Sequence, residues 1–283
     1  MLLGVHISGR RRLADTIEDA HKLGCNTMQV FSRSPQRWRD RFLDNKEIEE
    51  FNRRRKQFRI NPVFIHIPYL INLASPNPRL YEASIEAYIE DILEASVLKV
   101  DYTVTHMGSH KDTSEEEGIK RLIEGLDIIL EKTKHVQVGI LLENTSGSGS
   151  WLGYKFSHQK TILENLKHKG RVGLCFDTAH AYLAGYDIAT KQGLEHTLEE
   201  IDRMVGARLI KLIHLNDARD KLGSHHDRHE NIGKGYIGME GMSWIVNHPR
   251  LRDLPFILET PKSADDKLDI MNLKTVRRLR RGS

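Results

Sequence analysis

Cysteine is scarce in this sequence, with Cys25 and Cys175 as the two thiols among 283 residues. Two are too few for a disulfide framework, and Cys175 lies in an apolar run where a buried free thiol is expected. We therefore expect neither residue to be catalytic or to bind a metal. Long apolar runs are also missing, since none approaches the roughly 20 residues that cross a bilayer. The N-terminus turns polar too early for a secretory signal, which predicts a cytoplasmic protein that binds no membrane.

A large charge excess is also missing, because the formal net charge is +4. The positive surplus is concentrated, since residues 1–60 hold 14 Lys and Arg against 8 Asp and Glu. Four arginines lie around Trp38 within residues 33–41, and residues 53–56 are RRRK. Cations mixed with an aromatic are typical of a surface that faces phosphates, but a solvated helix face produces the same run.

Eight short apolar runs divide the chain. Most are continuous rather than alternating, which is typical of parallel strands covered on both faces. The predicted strands are residues 2–6, 27–31, 63–66, 102–106, 139–143, 172–177, 209–214 and 256–259.

The segments between these strands have helical periodicity. Leu13, Ile17 and Ala20 share one helical face, and Ser114 with Glu117 forms a capping-box pattern before another apolar face. Alternating strands and helices predict a single α/β domain over residues 1–283, a (β/α)8 TIM barrel. An open doubly wound sheet is the competing architecture.

Six of the apolar runs end on a histidine or a carboxylate, at intervals of about 34 to 45 residues. Parallel strands would bring these ends to one rim, and two spacings, D-T-A-H and D-R-H, add three more side chains nearby. The nine candidate ligands are His66, His106, Glu143, Asp177, His180, His214, Asp227, His229 and Glu259.

Nine ligands exceed one site. A catalytic zinc uses about three protein ligands plus water, so nine suit two or three metals with a bridging carboxylate. Imidazole and carboxylate without thiolate favour zinc, with Mn²⁺ or Fe²⁺ as substitutes. Such a cluster is typical of phosphoester hydrolysis more than of redox chemistry.

Seven strings that together hold these nine residues follow one another along nearly the whole chain. They are HIPYLINLASP (66–76), HMGSH (106–110), ENTSGSGSWLG (143–153), FDTAHAYLAGYD (176–187), HLNDAR (214–219), GSHHDRHENIGKGYIG (223–238) and ILET (257–260). Together they resemble the endonuclease IV family of apurinic/apyrimidinic endonucleases, also called deoxyribonuclease IV.

The resemblance implies three zinc ions at the C-terminal rim and cleavage of duplex DNA 5′ to an abasic site. The products would carry a 3′-hydroxyl and a 5′-deoxyribose phosphate, and blocked 3′ ends would also be trimmed. A hydroxide shared by two ions would attack phosphorus, with Glu143 and Glu259 as catalytic residues and Glu259 orienting the nucleophile. The implied ligand groups are His66, His106 and Glu143; Glu143, Asp177, His214 and Glu259; and His180, Asp227 and His229.

The resemblance also implies DNA contacts, and we expect a monomer. Tyr69 and Leu70 match the family's wedge into the minor groove, where they would fill the gap left by the missing base. The family's probing cation falls on SPQRW, which places Gln36 or Arg37 at that position. Met107 and Ala179 depart from the common pattern beside ligands, but neither is itself a ligand.

Two other functions remain open from sequence. One is a metal-dependent sugar isomerase on a related barrel, although such sites rely mainly on carboxylates with a lysine. The other is a non-catalytic binder of damaged DNA with structural zinc, although structural zinc sites are usually closed and rich in thiolate.

Overall fold

The computed structural model describes residues 1–7, 12–31, 33, 38 and 43–280. Within these residues, eight parallel strands form one sheet that curves into a barrel. The barrel strands are β1 (Leu3–Val5), β2 (Met28–Phe31), β3 (Val63–His66), β4 (Tyr102–His106), β5 (Gly139–Glu143), β6 (Val172–Asp177), β7 (Ile210–His214) and β10 (Phe256–Leu258). A small antiparallel pair, β8 (Asp217–Ala218) and β9 (His229–Glu230), lies in the loop after β7.

The strand order decides between the two predicted architectures. The neighbours run β1-β10-β7-β6-β5-β4-β3-β2, so that the first two strands of the chain form the two ends of the ladder. These ends meet through a parallel bridge between His6 and Gln29, where Ile7 N donates to Gln29 O at 2.8 Å. The sheet is therefore a TIM barrel, and the open doubly wound alternative is wrong.

Helices follow the strands and cover the outside of the barrel, as the periodicity predicted. Ser114 caps one of them with Glu117 in the predicted capping box. The helices are α1 (Leu13–Lys22), α2 (Asn45–Phe58), α3 (Pro78–Val97), α4 (Glu115–Lys132), α5 (Phe156–Asn165), α6 (Thr178–Leu183), α7 (Lys191–Met204), α8 (Gly238–Asn247) and α9 (Lys267–Leu279). Among the described residues, no helix combines the length and the apolarity needed to cross a bilayer.

The barrel interior holds a layer of buried side chains directly below the strand ends. They are Phe64, Val104, Leu141, Cys175, Leu212 and Ile257. Each lies two positions before one of the six strand-end candidate ligands. Because side chains alternate along a strand, a residue two positions further along points to the same side, into the mouth of the barrel.

The basic run on α2 is explained by pairing within the protein. Arg53 and Arg54 both contact Glu50, at 2.7 and 2.6 Å, and Arg54 also contacts Asp15 at 2.9 Å. Arg55 turns inward and donates to the Lys99 carbonyl. These arginines are engaged by acidic and backbone groups, so the solvated helix face fits this run better than a phosphate-binding surface.

Candidate metal centre

The nine candidate ligands meet at the carboxyl ends of the strands. His106 is in register with Glu143, and Asp177 with His214, so neighbouring strands deliver their last residues to one level. Glu259 directly follows β10. Glu143, Asp177 and His214 are completely buried, which is unusual for ionisable groups unless they are paired or bind a cation.

The first group is built around one oxygen of Glu143. His66 Nε2 lies 3.1 Å and His106 Nε2 lies 3.3 Å from Glu143 Oε2. Two imidazoles and a carboxylate converging on one point are a donor set that zinc prefers.

The second group uses the other oxygen of the same carboxylate. His214 Nδ1 lies 3.0 Å from Glu143 Oε1 and 3.3 Å from Glu259 Oε2. Asp177 Oδ2 lies 3.9 Å from the same nitrogen. Glu143 therefore turns one oxygen to each group, which is the arrangement a bridging carboxylate requires.

The third group combines a helix residue with two loop residues. His180 Nε2 lies 3.0 Å and His229 Nε2 lies 3.8 Å from Asp227 Oδ1. One ligand atom each of Asp177, His180 and His229 also lie within 4.8 Å of one another. The family resemblance implied Asp177 as a ligand of the second group, and in the structure Asp177 borders both the second and the third group.

Four histidines of the cluster share one feature, a ring nitrogen engaged by a backbone or side-chain amide oxygen. The acceptors are the backbone oxygens of Ile67 for His66 (2.8 Å), Asn144 for His180 (2.9 Å) and Glu259 for His229 (3.0 Å), and the Gln29 side-chain oxygen for His214 (2.9 Å). Because an amide oxygen can only accept, the proton of each ring lies on that side. Metal-binding histidines are held in this way by their surroundings.

The second ring nitrogen of each histidine then faces carboxylate oxygen. If this nitrogen carries no proton, its lone pair faces the carboxylate. His66 Nε2 lies 3.1 Å from Glu143 Oε2, and His180 Nε2 lies 3.0 Å from Asp227 Oδ1. His229 Nε2 is buried and has no hydrogen-bond partner within the described part of the chain. Two acceptors repel each other at such distances, so a cation must lie between them, either an extra proton or a metal ion.

The pKa shifts show the same need for positive charge. Burial by itself raises the pKa of Glu143, but the facing His214 and His106 outweigh it and hold that pKa well below the usual range. Burial likewise lowers the pKa of His180, yet the carboxylates of Asp177 and Asp227 raise it well above 6.5. A proton on His180 would therefore balance these carboxylates, and a metal ion that binds there would compete with that proton.

Two asparagines that follow ligands support the cluster. Asn216 Nδ2 donates to Asp177 Oδ2 at 2.7 Å, and Asn216 Oδ1 accepts from Glu259 N at 2.7 Å. Asn144 exchanges hydrogen bonds with the backbone of Asp177, at 2.8 and 2.9 Å. These four hydrogen bonds support Asp177 and Glu259, two of the candidate ligands.

Asp217 organises the loop that carries Asp227 and His229. Its buried carboxylate accepts five backbone N–H groups at 2.9 to 3.3 Å, from Ala218, Gly233, Gly235, Ile237 and Gly238. At Gly235, an added Cβ would lie 2.6 Å from Asp217 Oδ1, so the backbone can approach only as glycine. This loop of several glycines therefore has a fixed conformation around one carboxylate, a role that sequence analysis missed.

Cys175 lies nearer to the cluster than the sequence indicated. Its sulfur lies within 4.8 Å of a ligand atom of both Glu143 and His214. Burial raises the pKa of this thiol to about 12, so it remains protonated near neutral pH. That Cys175 is no ligand remains a prediction.

An open cavity of about 230 Å³ lies over the cluster. Tyr69 and Trp151 line it on either side of His106, each with its ring centroid 5.6 Å from the His106 ring. Tyr69 is 53% exposed although it follows a buried strand, and Leu70 beside it is partly exposed. The other two predicted DNA contacts, Gln36 and Arg37, lie outside the described residues.

Gln29 is a further polar residue of the site that sequence analysis missed. It is completely buried and contacts His6, His214 and Glu259. The signal that could have identified Gln29 is a polar side chain in the middle of the otherwise apolar strand β2.

The fold and the candidate ligands on this rim indicate a TIM barrel that binds metal ions. Comparisons with known proteins find the same fold. The family model described as "Xylose isomerase-like TIM barrel" matches residues 17–277. A structure of a D-tagatose 3-epimerase-like protein, at 19% identity, has a TM-score of 0.74 over 99% of this chain and 97% of that one. At this identity the likeness shows the fold alone.

Relatives with higher sequence identity identify the family of this chain. A protein named "Probable endonuclease 4" from Halothermothrix orenii is 38% identical over 275 residues, which is 96% of this chain and 99% of the relative. The crystal structure of endonuclease IV from Thermus thermophilus has a TM-score of 0.87 and 34% identity, over 99% of this chain and 98% of that one. The chain belongs to the endonuclease IV family, as the sequence motifs indicated.

Proposed function

We propose that this protein hydrolyses the phosphodiester bond 5′ to abasic sites in duplex DNA. The products would carry a 3′-hydroxyl and a 5′-deoxyribose phosphate, and blocked 3′ ends would also be trimmed. The observation that carries the proposal is the set of imidazole nitrogens facing the carboxylates of Glu143 and Asp227, combined with membership of the endonuclease IV family. We further propose that it acts as a single-domain monomer.

The residues present fit three zinc ions. Glu143 would bridge two of them, and Mn²⁺ or Fe²⁺ are chemically acceptable substitutes. The proposed ligands are the first group, His66, His106 and Glu143; the second, Glu143, Asp177, His214 and Glu259; and the third, His180, Asp227 and His229. When bound, these ions would supply a water of lowered pKa as nucleophile and would neutralise charge on the phosphate.

Glu259 is the proposed orienting residue for the attacking water. Its Oε1 is engaged by Gln29 and His6, whereas Oε2 faces the cluster, 3.3 Å from His214 Nδ1. A carboxylate held on one side has a fixed direction for its free oxygen, and fixed orientation of a nucleophile lowers the barrier of the reaction.

Tyr69 and Leu70 are the proposed wedge. Extruding a sugar without a base costs less than extruding a paired nucleotide, and an exposed ring beside the cavity can fill the vacated stack. Burial of part of the side chain raises the pKa of Tyr69, so its hydroxyl stays neutral beside the carboxylates. We propose Gln36 or Arg37 as the residue that probes the duplex.

An incision assay tests the proposal. The zinc-loaded protein is expected to cut a duplex with one abasic site on the 5′ side of the lesion and to leave the intact duplex whole. Chelation should abolish cutting, and added zinc should restore it. An intact abasic duplex, together with interconversion of a ketose and an aldose, would instead establish the sugar-isomerase alternative.

A further inference from the structure

The point where the barrel closes lies directly beneath the candidate metal centre. Gln29 is in register with Phe64, which places it at the level of the apolar layer below the strand ends. The neighbouring His6 bridges to it across the closing seam of the barrel. Gln29 is a completely buried polar side chain at the level of this apolar layer, so its amide needs partners.

We propose that Gln29 is a positioning residue that fixes the ring of His214 and the carboxylate of Glu259. The proposal deepens the proposed function and rests on it for its activity measurement. Gln29 Oε1 lies 2.9 Å from His214 Nε2, and Gln29 Nε2 lies 2.7 Å from Glu259 Oε1. One amide thus contacts two proposed ligands whose strands, β7 and β10, are far from β2 in sequence.

The chemistry of the partners fixes the orientation of the amide. An ionised carboxylate can only accept, so the nitrogen of Gln29 must face Glu259 and the oxygen must face His214. That oxygen in turn requires a proton on His214 Nε2. His214 Nδ1 is then free to bind a cation among the carboxylates of Glu143, Asp177 and Glu259.

His6 completes the fixation of Glu259. Its Nδ1 lies 2.9 Å from both Glu259 Oε1 and Gln29 Nε2, and it can donate to the first or accept from the second, but not both. Donation to the charged oxygen is favoured, because a charge-assisted hydrogen bond is the stronger of the two. The opposite nitrogen then carries no proton, and it is the buried His6 Nε2 that has no partner among the described residues.

The two oxygens of Glu259 have different partners in this arrangement. Oε1 receives hydrogen bonds from Gln29 and His6, and Oε2 remains directed at the cluster. Loss of the Gln29 amide would leave Glu259 Oε1 with the His6 hydrogen bond alone, and it would remove the acceptor that keeps a proton on His214 Nε2. Supporting partners of metal ligands typically change metal affinity or activity by about 10–100-fold when they are removed.

The variant Gln29→Met tests the proposal, because it keeps the approximate shape of the side chain and removes both hydrogen bonds. We expect kcat for abasic-site incision to fall about 10–100-fold, KM to change little, and zinc affinity measured against a competing chelator to fall. The matched control is Gln159→Met. Gln159 is also buried, on α5, but its amide nitrogen donates to the Gly153 backbone, so kcat should stay near that of the unaltered protein.

The variant Gln29→Glu separates the two halves of the amide and provides a second test if Gln29→Met does not fold. When ionised, the new carboxylate keeps an acceptor for His214 Nε2 but cannot donate to Glu259, and it adds a like charge there. We expect kcat to fall at least as far as in Gln29→Met, while NMR with ¹⁵N-labelled histidine still shows a proton on His214 Nε2.

Several results would overturn the proposal. They are a wild-type value of kcat in Gln29→Glu, equal losses in Gln29→Met and Gln159→Met, or a wild-type His214 without a proton on Nε2. If the unaltered protein fails to incise DNA, the proposed function fails, but the zinc affinity and the His214 proton still decide the role of Gln29.

Discussion

Two parts of the rim hold their side chains by different means. The strand-borne part, His66, Glu143, Asp177 and His214, is buried at the ends of paired strands whose register fixes the level of each residue. The loop-borne part, Asp227 and His229, belongs to a loop in which the Asp217 carboxylate accepts five backbone N–H groups. The Asp227 side chain is 45% exposed. Strand register thus sets the level of one part, whose side chains are then held by hydrogen bonds with residues such as Gln29 and Asn216. The loop of the other part depends on a single buried carboxylate, that of Asp217.

We expect the two parts to differ in function for this reason. The strand-borne groups are buried around Glu143, which strengthens the electrostatic interactions among them. The loop-borne groups lie at the edge of the cavity, where a substrate can reach them. We therefore expect changes in the strand-borne part to affect chemistry most and changes in the loop to affect the third metal.

The variant Glu259→Gln should have the largest effect. It retains the size of the side chain but removes the charge that orients the attacking water, so kcat should fall about 10³-fold. Binding of a duplex with one abasic site, measured by fluorescence anisotropy, should stay within about twofold because the rim keeps its shape. Equal incision by the variant and the unaltered protein would remove Glu259 from the catalytic machinery.

The variant Asp217→Asn should weaken the loop-borne part selectively. An amide cannot accept all five backbone N–H groups, so the loop loosens and affinity for one of three zinc ions should fall about 10–100-fold. Zinc content after dialysis, measured by mass spectrometry, checks this. Asp220→Asn is the matched control, since Asp220 lies on the same loop and its carboxylate contacts His226 at 3.9 Å. Loss of all zinc in Asp217→Asn would show that the two parts are not independent.

The variant Tyr69→Ala should reduce selectivity rather than chemistry. If the ring fills the gap in the stack, its loss should lower the ratio of abasic to intact duplex affinity about tenfold. Tyr236→Ala is a matched control, because Tyr236 is 58% exposed and lies in the loop after β7. The wedge is disproved if the affinity ratio is unchanged in Tyr69→Ala or falls equally in both variants.

The pH dependence of stability should differ between metal-free and zinc-loaded protein. The pKa values of His180 and His214 are raised well above 6.5, so the stability they contribute to metal-free protein is present below pH 6.5 and is lost as pH rises through the raised values. Zinc binding strengthens over the same range because protons no longer compete.

Melting temperatures measured by calorimetry test the predicted direction of this pH dependence. The gap between zinc-loaded and metal-free protein should widen by roughly 5–10 °C between about pH 6 and about pH 9. A gap that narrows as pH rises would mean that protons and zinc do not compete for these histidines.

Sequence predicted the strand-borne part well because strand ends are visible in hydrophobicity. Four of the eight predicted strands match the observed bounds, and the other four differ by one residue at one or both ends. The residues that end these apolar runs, such as His66 and Asp177, were therefore placed correctly on the rim.

The sequence did not predict the contacts between side chains across the barrel. Gln29 and His214 are 185 residues apart, and their contact depends on the closure of the sheet, which no local pattern encodes. The role of Asp217 was missed for a related reason, since its partners are backbone N–H groups, which almost every residue type carries. Polar residues at interior strand positions are the signal to examine in such cases.

Zinc per chain, measured beside incision, tests the central claim most directly. Metal-free protein is titrated with zinc, and bound metal and abasic-site incision are recorded at each step. We predict three zinc ions per chain, with full activity appearing as the third binds. Full incision by protein that holds one zinc or none would contradict the assignment of this rim as a three-metal centre.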